Sequence, residues 1–417
     1  MSILKPKKVY FDAASGLPLN SKISKAMFVM SKKILGNPSS IHNYGVFAKN
    51  ILEENRLNIA NTINAHKDEI IFTSSCSESI SLAIMGSVYK AKKDGIILPH
   101  IITSTIEHSS VINACKILEE RKDAEVTYLP SSLNTGIIKA EDVINAIKEN
   151  TVIVSIHLVN SEIGIIQPVE EYIKEINKIK EQRNNITKMR FSSKSFYPYV
   201  HIDAAQGYAH LDLTNFVKNG IDMISFNSVK IGGPVGIGVL YKKRDVKIQP
   251  IYGGGEQEFG LRPGTVPVLL VYGFSIAGNY IKQNMLINEK KYIKLKEAFI
   301  NGLDKISKEE NFPFLENSSL DSVPSITSIS FPYFSGQQFA IELDARNVIV
   351  SSKSACNNTD DIESTVISEI RKFEENNINK NWGTIRVSFN PDNKISDVNK
   401  LLKEIKNIIH TYKGVLY

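Results

Sequence analysis

The sequence predicts an α/β protein: a large domain on a mainly parallel sheet, joined to a smaller domain. Short β-branched runs alternate with longer stretches of helical period, the pattern of strands crossed by helices. At 417 residues the chain also exceeds what one small core organises, and a long charged amphipathic helix read from Asn284 to Ile306 can bridge two units.

In order, the strand-like runs begin with Val9-Tyr10-Phe11 and continue with Glu69-Ile70-Ile71-Phe72, Ile101-Ile102-Thr103, Val126-Thr127-Tyr128, Val152 to Ile156 and Val200-His201-Ile202. Met223 to Phe226 and Gly238 to Tyr241 extend the same sheet. Between them, Glu78 to Lys90 and Ser110 to Arg121 have helical period. Gln182 to Phe196 is polar, basic and without clear period, and reads as a surface loop. Beyond the bridging helix, Ser325 to Phe331 and Val348 to Ser352 read as strands of the smaller domain, and Ile395 to Tyr412 as a surface helix.

Composition narrows the function. A formal charge of +6, spread along the chain, gives no basic strip for nucleic acid, so no direct nucleic-acid partner is expected. No apolar run approaches the roughly 20 residues that span a bilayer, so no membrane partner is expected. Met1 to Lys8 has neither an apolar h-region nor an Arg/Ser-rich presequence, which reads as a cytosolic protein. The three cysteines, Cys76, Cys115 and Cys356, have no paired metal-ligand spacing, and their odd number argues against a disulfide framework. A reducing compartment and a working thiol fit.

In such a sheet, ligands bind beyond the carboxyl ends of the strands, and five polar clusters fall there. Thr73-Ser74-Ser75-Cys76-Ser77-Glu78-Ser79 opens a helix, where free N–H groups and the dipole suit a phosphate; the same residues also suit a capping box. Thr105 to Ser109 contains His108, able to stack on a ring or move protons. His157 to Gly164 follows the next strand. His201-Ile202-Asp203-Ala204-Ala205-Gln206 ends a buried strand in an acid, costly to bury without a cationic or N–H partner. Ser225 to Lys230 ends another strand in a lysine before Gly232-Gly233-Pro234. An acid for a pyridinium nitrogen and a lysine for an imine are together what pyridoxal-phosphate chemistry asks of a protein.

From Val9 to about Pro391 the chain resembles the cysteine desulfurases, in the class V aminotransferase-like branch of fold type I pyridoxal-phosphate enzymes. The resemblance rests on Tyr10-Phe11-Asp12-Ala13-Ala14, Gly36-Asn37-Pro38-Ser39-Ser40, Glu107-His108, Asn160 to Gly164, His201 to Gln206, Gly253-Gly254-Gly255, Arg262-Pro263-Gly264-Thr265, Ser351 to Cys356 and Ile385-Arg386-Val387-Ser388, all in one order. It implies a mainly parallel seven-stranded sheet in a large cofactor domain over residues 18–284. Residues 1–17 and 285–417 would form a small α+β domain carrying the catalytic cysteine. Lys230 matches the imine-forming lysine, Asp203 the pyridinium partner, Gln206 the hydrogen-bond partner of the ring hydroxyl, and His108 the stacking and proton-transfer histidine. Ser77 matches a phosphate-binding threonine, and Cys76 beside it counts with it among the cofactor-binding residues. Thr265 matches a threonine reaching the phosphate of the neighbouring subunit, which implies a homodimer. Arg386 matches the substrate-carboxylate clamp. Cys356 matches the nucleophile that takes sulfur from L-cysteine as a persulfide, leaving alanine, for transfer to an acceptor protein in iron–sulfur assembly or tRNA thiolation. Cys76 and Cys115 otherwise read as inert helical fillers.

The chain departs from the family at three places. Asn227-Ser228-Val229 stands before the lysine instead of Ser-Gly-His; Asn227 can still donate to the phosphate but Val229 cannot, a loss on the order of 1.5–3 kcal/mol in cofactor binding. Ser161 replaces a substrate-binding asparagine. Glu256-Gln257-Glu258-Phe259 is one residue longer than usual and lacks an arginine. Arg262 to Thr265 and the extra stretch before His201 are also similar to selenocysteine lyase, which keeps L-selenocysteine as an alternative substrate. A non-catalytic scaffold of a sulfur-transfer complex is the alternative outside enzymes.

Overall fold

The computed structural model describes residues 8–190, 197–352, 364–371 and 382–416. Cys356, the nucleophile implied by the resemblance, lies outside the described residues.

The chain opens with strand β1 (Val9–Tyr10) and helices α1 (Ser21–Ser31) and α2 (Asn43–Thr62), then enters the large sheet. The next elements are β2 (Ile70–Thr73), α3 (Cys76–Lys93), β3 (His100–Ser104), α4 (Ser109–Glu120), β4 (Glu125–Leu129), α5 (Ala140–Asn145), β5 (Thr151–His157) and α6 (Val169–Arg190). They are followed by β6 (Tyr199–Asp203), α7 (Gly207–His210), α8 (Thr214–Lys218), β7 (Met223–Asn227) and β8 (Gly238–Lys242). The seven strands lie in the order β2-β8-β7-β6-β5-β3-β4. Pairing is parallel from β7 through β6, β5 and β3 to β4, and antiparallel on both sides of β8.

Burial on both faces explains why these strands read as unbroken apolar runs rather than alternating ones. Ile71, Ile101, Met223 and Leu240 face α3 and α4, while Phe72, Ile102, Ile224 and Val239 face the opposite core with α2, α6 and the start of α9 (Val268–Glu310). His201, mid-strand, is accommodated in the first face by hydroxyls on both neighbours: Ser155 and Ser225 each lie 2.8 Å from its ring nitrogens.

A second core gathers around a small antiparallel sheet, β12-β10-β9, of β9 (Leu315–Glu316), β10 (Ile326–Pro332) and β12 (Trp382–Ser388). Helix α10 (Gly336–Ala345), strand β11 (Val348–Ile349) paired with β1, helix α11 (Thr365–Ile370) and helix α12 (Ile395–Leu416) complete the chain. Helix α9 is 43 residues long: Val271, Phe274 and Ile281 belong to the first core, Leu295, Phe299 and Leu303 to the second. The tail helix packs there through Val398, Leu401, Ile405 and Ile408.

One expectation changes. Gln182 to Phe196 reads as a loop from sequence, yet α6 continues to Arg190, and residues 191–196 lie outside the described ones. The residues lack an apolar stripe but contain no Gly or Pro, so a helix already nucleated propagates through them at little cost.

Candidate active site

The strands that run parallel end together, and their ends surround a cavity of about 660 Å³. It is lined by Cys76, Ser77, His108, Ser161, Asp203, Gln206, Asn227, Lys230 and Arg386. Most come from the ends of elements: Cys76 and Ser77 open α3, His108 caps α4, Asp203 ends β6, and Lys230 sits in the short turn after β7, while Arg386 projects from within β12. Register brings the last two close in the sheet, since Asp203 pairs with Ser225 on the neighbouring strand. Thr265 is not among the lining residues; it stands exposed on the loop between β8 and α9.

Asp203 is 6% exposed, and burial pushes its carboxyl pKa up, against the pull of His108 and the Ala205 N–H. Its Oδ1 accepts from Ala205 N–H at 2.9 Å and lies 3.6 Å from Cys76 Sγ. Lys230 Nζ donates to the carbonyls of Ala14 and Ser15 at 2.8 and 2.7 Å, and Gln206 Nε2 donates to the same Ala14 carbonyl at 2.7 Å. Gly232 follows with φ +75°, a left-handed turn that suits glycine and folds the chain back after the lysine.

Helix α3 supplies the anion end. Ser75 is its cap, accepting from Glu78 N–H at 3.2 Å, which leaves the first N–H groups of the helix without intrahelical partners. Strand β8 starts hard against this turn: a Cβ on Gly238 would meet the Ser75 carbonyl carbon at 2.5 Å, so only glycine passes. Although burial favours the neutral acid, hydrogen bonds from Arg262, Ser74 and Tyr252 hold Glu78 down at about 2, so a fixed carboxylate ties the 252–262 loop to the helix. The Oδ1 of Asn227 is buried beside the cavity without a hydrogen-bond partner among the described residues. Val229 is outside the lining and its side chain packs toward Gly16.

On the opposite wall, Arg386 divides its fork. Nη1 donates to the Ser161 carbonyl at 2.9 Å, Nη2 to Asp12 Oδ1 and Ser15 Oγ at 2.7 Å each, and Nε is buried with no hydrogen-bond partner among the described residues. His108 Nδ1 is engaged by the Ser110 N–H and hydroxyl at 3.2 and 2.7 Å, and Nε2 has no hydrogen-bond partner among the described residues. Behind it Glu107, 8% exposed, accepts from Ser104 Oγ and His157 N–H and lies 2.8 Å from His157 Nδ1.

From sequence, the Asp12–Gly16 turn, Glu107 and His157 have no individual role. Tyr10 to Ala14 and Glu107-His108 enter there only as motifs of the resemblance. The donor set as a whole asks for one flat molecule: an N–H cation to meet Asp203, an anion to meet α3, and a group between them that an amine can hold.

The comparisons with known proteins agree with this geometry. The family model for aminotransferase class-V matches residues 9–401. A cysteine desulfurase IscS from Dictyoglomus turgidum is 32% identical over 409 residues, covering 98% of this chain and 96% of that one. A mitosomal cysteine desulfurase from Trachipleistophora hominis is 36% identical over 362 residues, 84% of this chain and 75% of that one. Among solved structures, a NifS-like protein superposes with a TM-score of 0.83 at 28% identity, covering 97% of this chain and all of its own. SspA in complex with cysteine gives 0.73 at 30% identity, covering 92% and 99%. The chain belongs to the class V aminotransferase family of fold type I enzymes. Within that family it is a member of the cysteine desulfurases.

Proposed function

We propose that this chain is a pyridoxal-phosphate-dependent cysteine desulfurase that converts L-cysteine to L-alanine and captures the sulfur on Cys356. The observation that carries the reading is the convergence of Asp203, Lys230, His108 and Arg386 on one cavity. Asp203, Gln206, His108, Asn227, Ser77 and Lys230 would hold the cofactor; when bound, it supplies an electron sink for the substrate's α-carbon. Arg386 and Ser161 orient the substrate carboxylate, the fork of donors fixing its plane. His108 Nε2 holds or moves the α-proton. The Ala14 and Ser15 carbonyls hold the Lys230 ammonium at the site where the cofactor would be bound.

The Cys356 thiolate attacks the substrate sulfur: an S–S bond forms, the C–S bond breaks, and the carbon fragment keeps the electron pair and takes up a proton to leave as alanine. The described chain on either side of Cys356 supports its reach. Ser351 pairs with Arg386 through both backbone groups, and Ser364 Oγ donates to Glu162 beside Ser161. The persulfide then passes to an acceptor protein. Exposed apolar side chains on and beside α1 and α2, including Phe28, Leu35, Ile41 and Tyr44, support a homodimer in which Thr265 reaches the neighbouring site. The cytosol is the proposed location; no helix among the described residues is long and apolar enough to cross a membrane.

Reconstitution with pyridoxal phosphate tests the reading. The wild type should show the visible band of a lysine-bound cofactor, turn L-cysteine into alanine, and carry one added sulfur on Cys356 by mass spectrometry. Cys356→Ser should keep the band and lose turnover. A wild type that gives no band with excess cofactor overturns the proposal.

A further inference from the structure

The floor of the cavity holds a thiol that the reaction above does not use. Cys76, the first residue of α3, is 6% exposed and lines the cavity, with its Sγ 3.6 Å from Asp203 Oδ1. The Ala205 N–H reaches that same oxygen at 2.9 Å. Both donors therefore fall on Oδ1, and among the described residues no hydrogen-bond donor reaches Oδ2.

We propose that Cys76 is a positioning residue: its S–H donates to Asp203 Oδ1 and fixes the carboxylate so that Oδ2 faces the ring nitrogen of the cofactor. The inference rests on the reading of this cavity as a pyridoxal-phosphate site. Burial first, then the neighbouring Asp203 charge, pushes the Cys76 thiol well above its ordinary range, so the group stays a neutral donor rather than a nucleophile. Donation to a carboxylate favours its charged form, opposing the burial that raises Asp203. The other titratable groups around Asp203 come from separate elements: Glu107 and His108 from the turn before α4, His157 from the end of β5. Lys230, from the turn after β7, acts electrostatically on the Cys76 thiol. Of the side chains around this carboxyl, Cys76 is the one within hydrogen-bonding reach.

A filler and a donor behave differently on substitution. Cys76→Ala removes volume and donor together, whereas Cys76→Ser restores a donor while leaving a slightly smaller side chain. Cofactor affinity is read from the visible band from about pH 5 to about pH 8 for wild type and both variants at fixed ionic strength. Cys76→Ala should bind pyridoxal phosphate about 3- to 10-fold more weakly, with the acid limb of binding moved to higher pH, because Asp203 keeps its proton longer. Cys76→Ser should return the limb to the wild-type position and affinity to within about twofold. An unmoved limb in Cys76→Ala, or a Cys76→Ser no better than Cys76→Ala, overturns the positioning role while the cofactor reading stands. A wild type without a band overturns both.

Discussion

Arg386 and Asp12 lie 374 positions apart and meet at the cavity in a 2.7 Å ion pair, with the arginine side chain 5% exposed. Ser15 Oγ shares the same nitrogen, and the other terminal nitrogen holds the Ser161 carbonyl. A lysine keeps the charge but has one ammonium and no planar fork, so it cannot serve the two walls and a carboxylate at once. Arg386→Lys should raise KM for L-cysteine about 10- to 100-fold, the loss of one charge-assisted bond, while kcat falls less. Steady-state kinetics decide it. An unchanged KM would show that Arg386 does not hold the substrate carboxylate.

Stability of the loop between β8 and α9 depends on a different buried pair. Arg56, 3% exposed, donates to both oxygens of Glu258 at 2.7 and 2.6 Å, and Glu258 Oε2 also accepts from Phe72 N–H at 2.7 Å. Glu258 and Phe259 both take left-handed backbone conformations, φ 48° and 61°, which cost on the order of 1–2 kcal/mol each for residues with a Cβ. The ion pair offsets that cost. Glu258→Gln keeps an acceptor but removes the charge, leaving Arg56 with the part-exposed Glu53 at 3.1 Å. It should destabilise the fold by about 2–4 kcal/mol, read as a lower urea midpoint at unchanged slope. A loss below about 0.5 kcal/mol, within surface-substitution range, would contradict this account.

The strands and the positions at their ends were legible because both signals are local. Ile70 to Phe72, Val152 to Ile156 and Met223 to Phe226 are buried on both faces, and such strands announce themselves as β-branched runs. Asp203 and Lys230 could be placed near one another because each closely follows the end of such a run. What stayed hidden depends on contacts between distant segments. The 12–16 turn meets Lys230 across 215 and 216 positions, and Cys76 meets Asp203 across 127; nothing in either local sequence marks the partner. Cys76 could be placed at the cofactor end of its helix, but not against Asp203, for the same reason. The far end of α6 escaped because its sequence carries no apolar stripe at helical spacing.

His201 gives the fold a pH dependence of its own. It is fully buried between Ser155 and Ser225, and burial lowers its pKa to about 3. In the unfolded chain the same imidazole titrates near 6.5. Below that pH the unfolded state therefore binds a proton that the folded state refuses, so stability falls as pH drops from about 6.5 toward about 3. At pH 5 this one group costs about 2 kcal/mol relative to neutral pH. His100 and His210, each lowered to about 4 by burial as the largest cause, push in the same direction. His201→Asn keeps a donor and an acceptor between the hydroxyls but does not titrate. It should be less stable than wild type at pH 7.5 by about 1–2 kcal/mol, yet lose about 2 kcal/mol less on going to pH 5. Urea unfolding at the two pH values measures both quantities, and equal losses in the two proteins would mean that His201 is not the group that titrates.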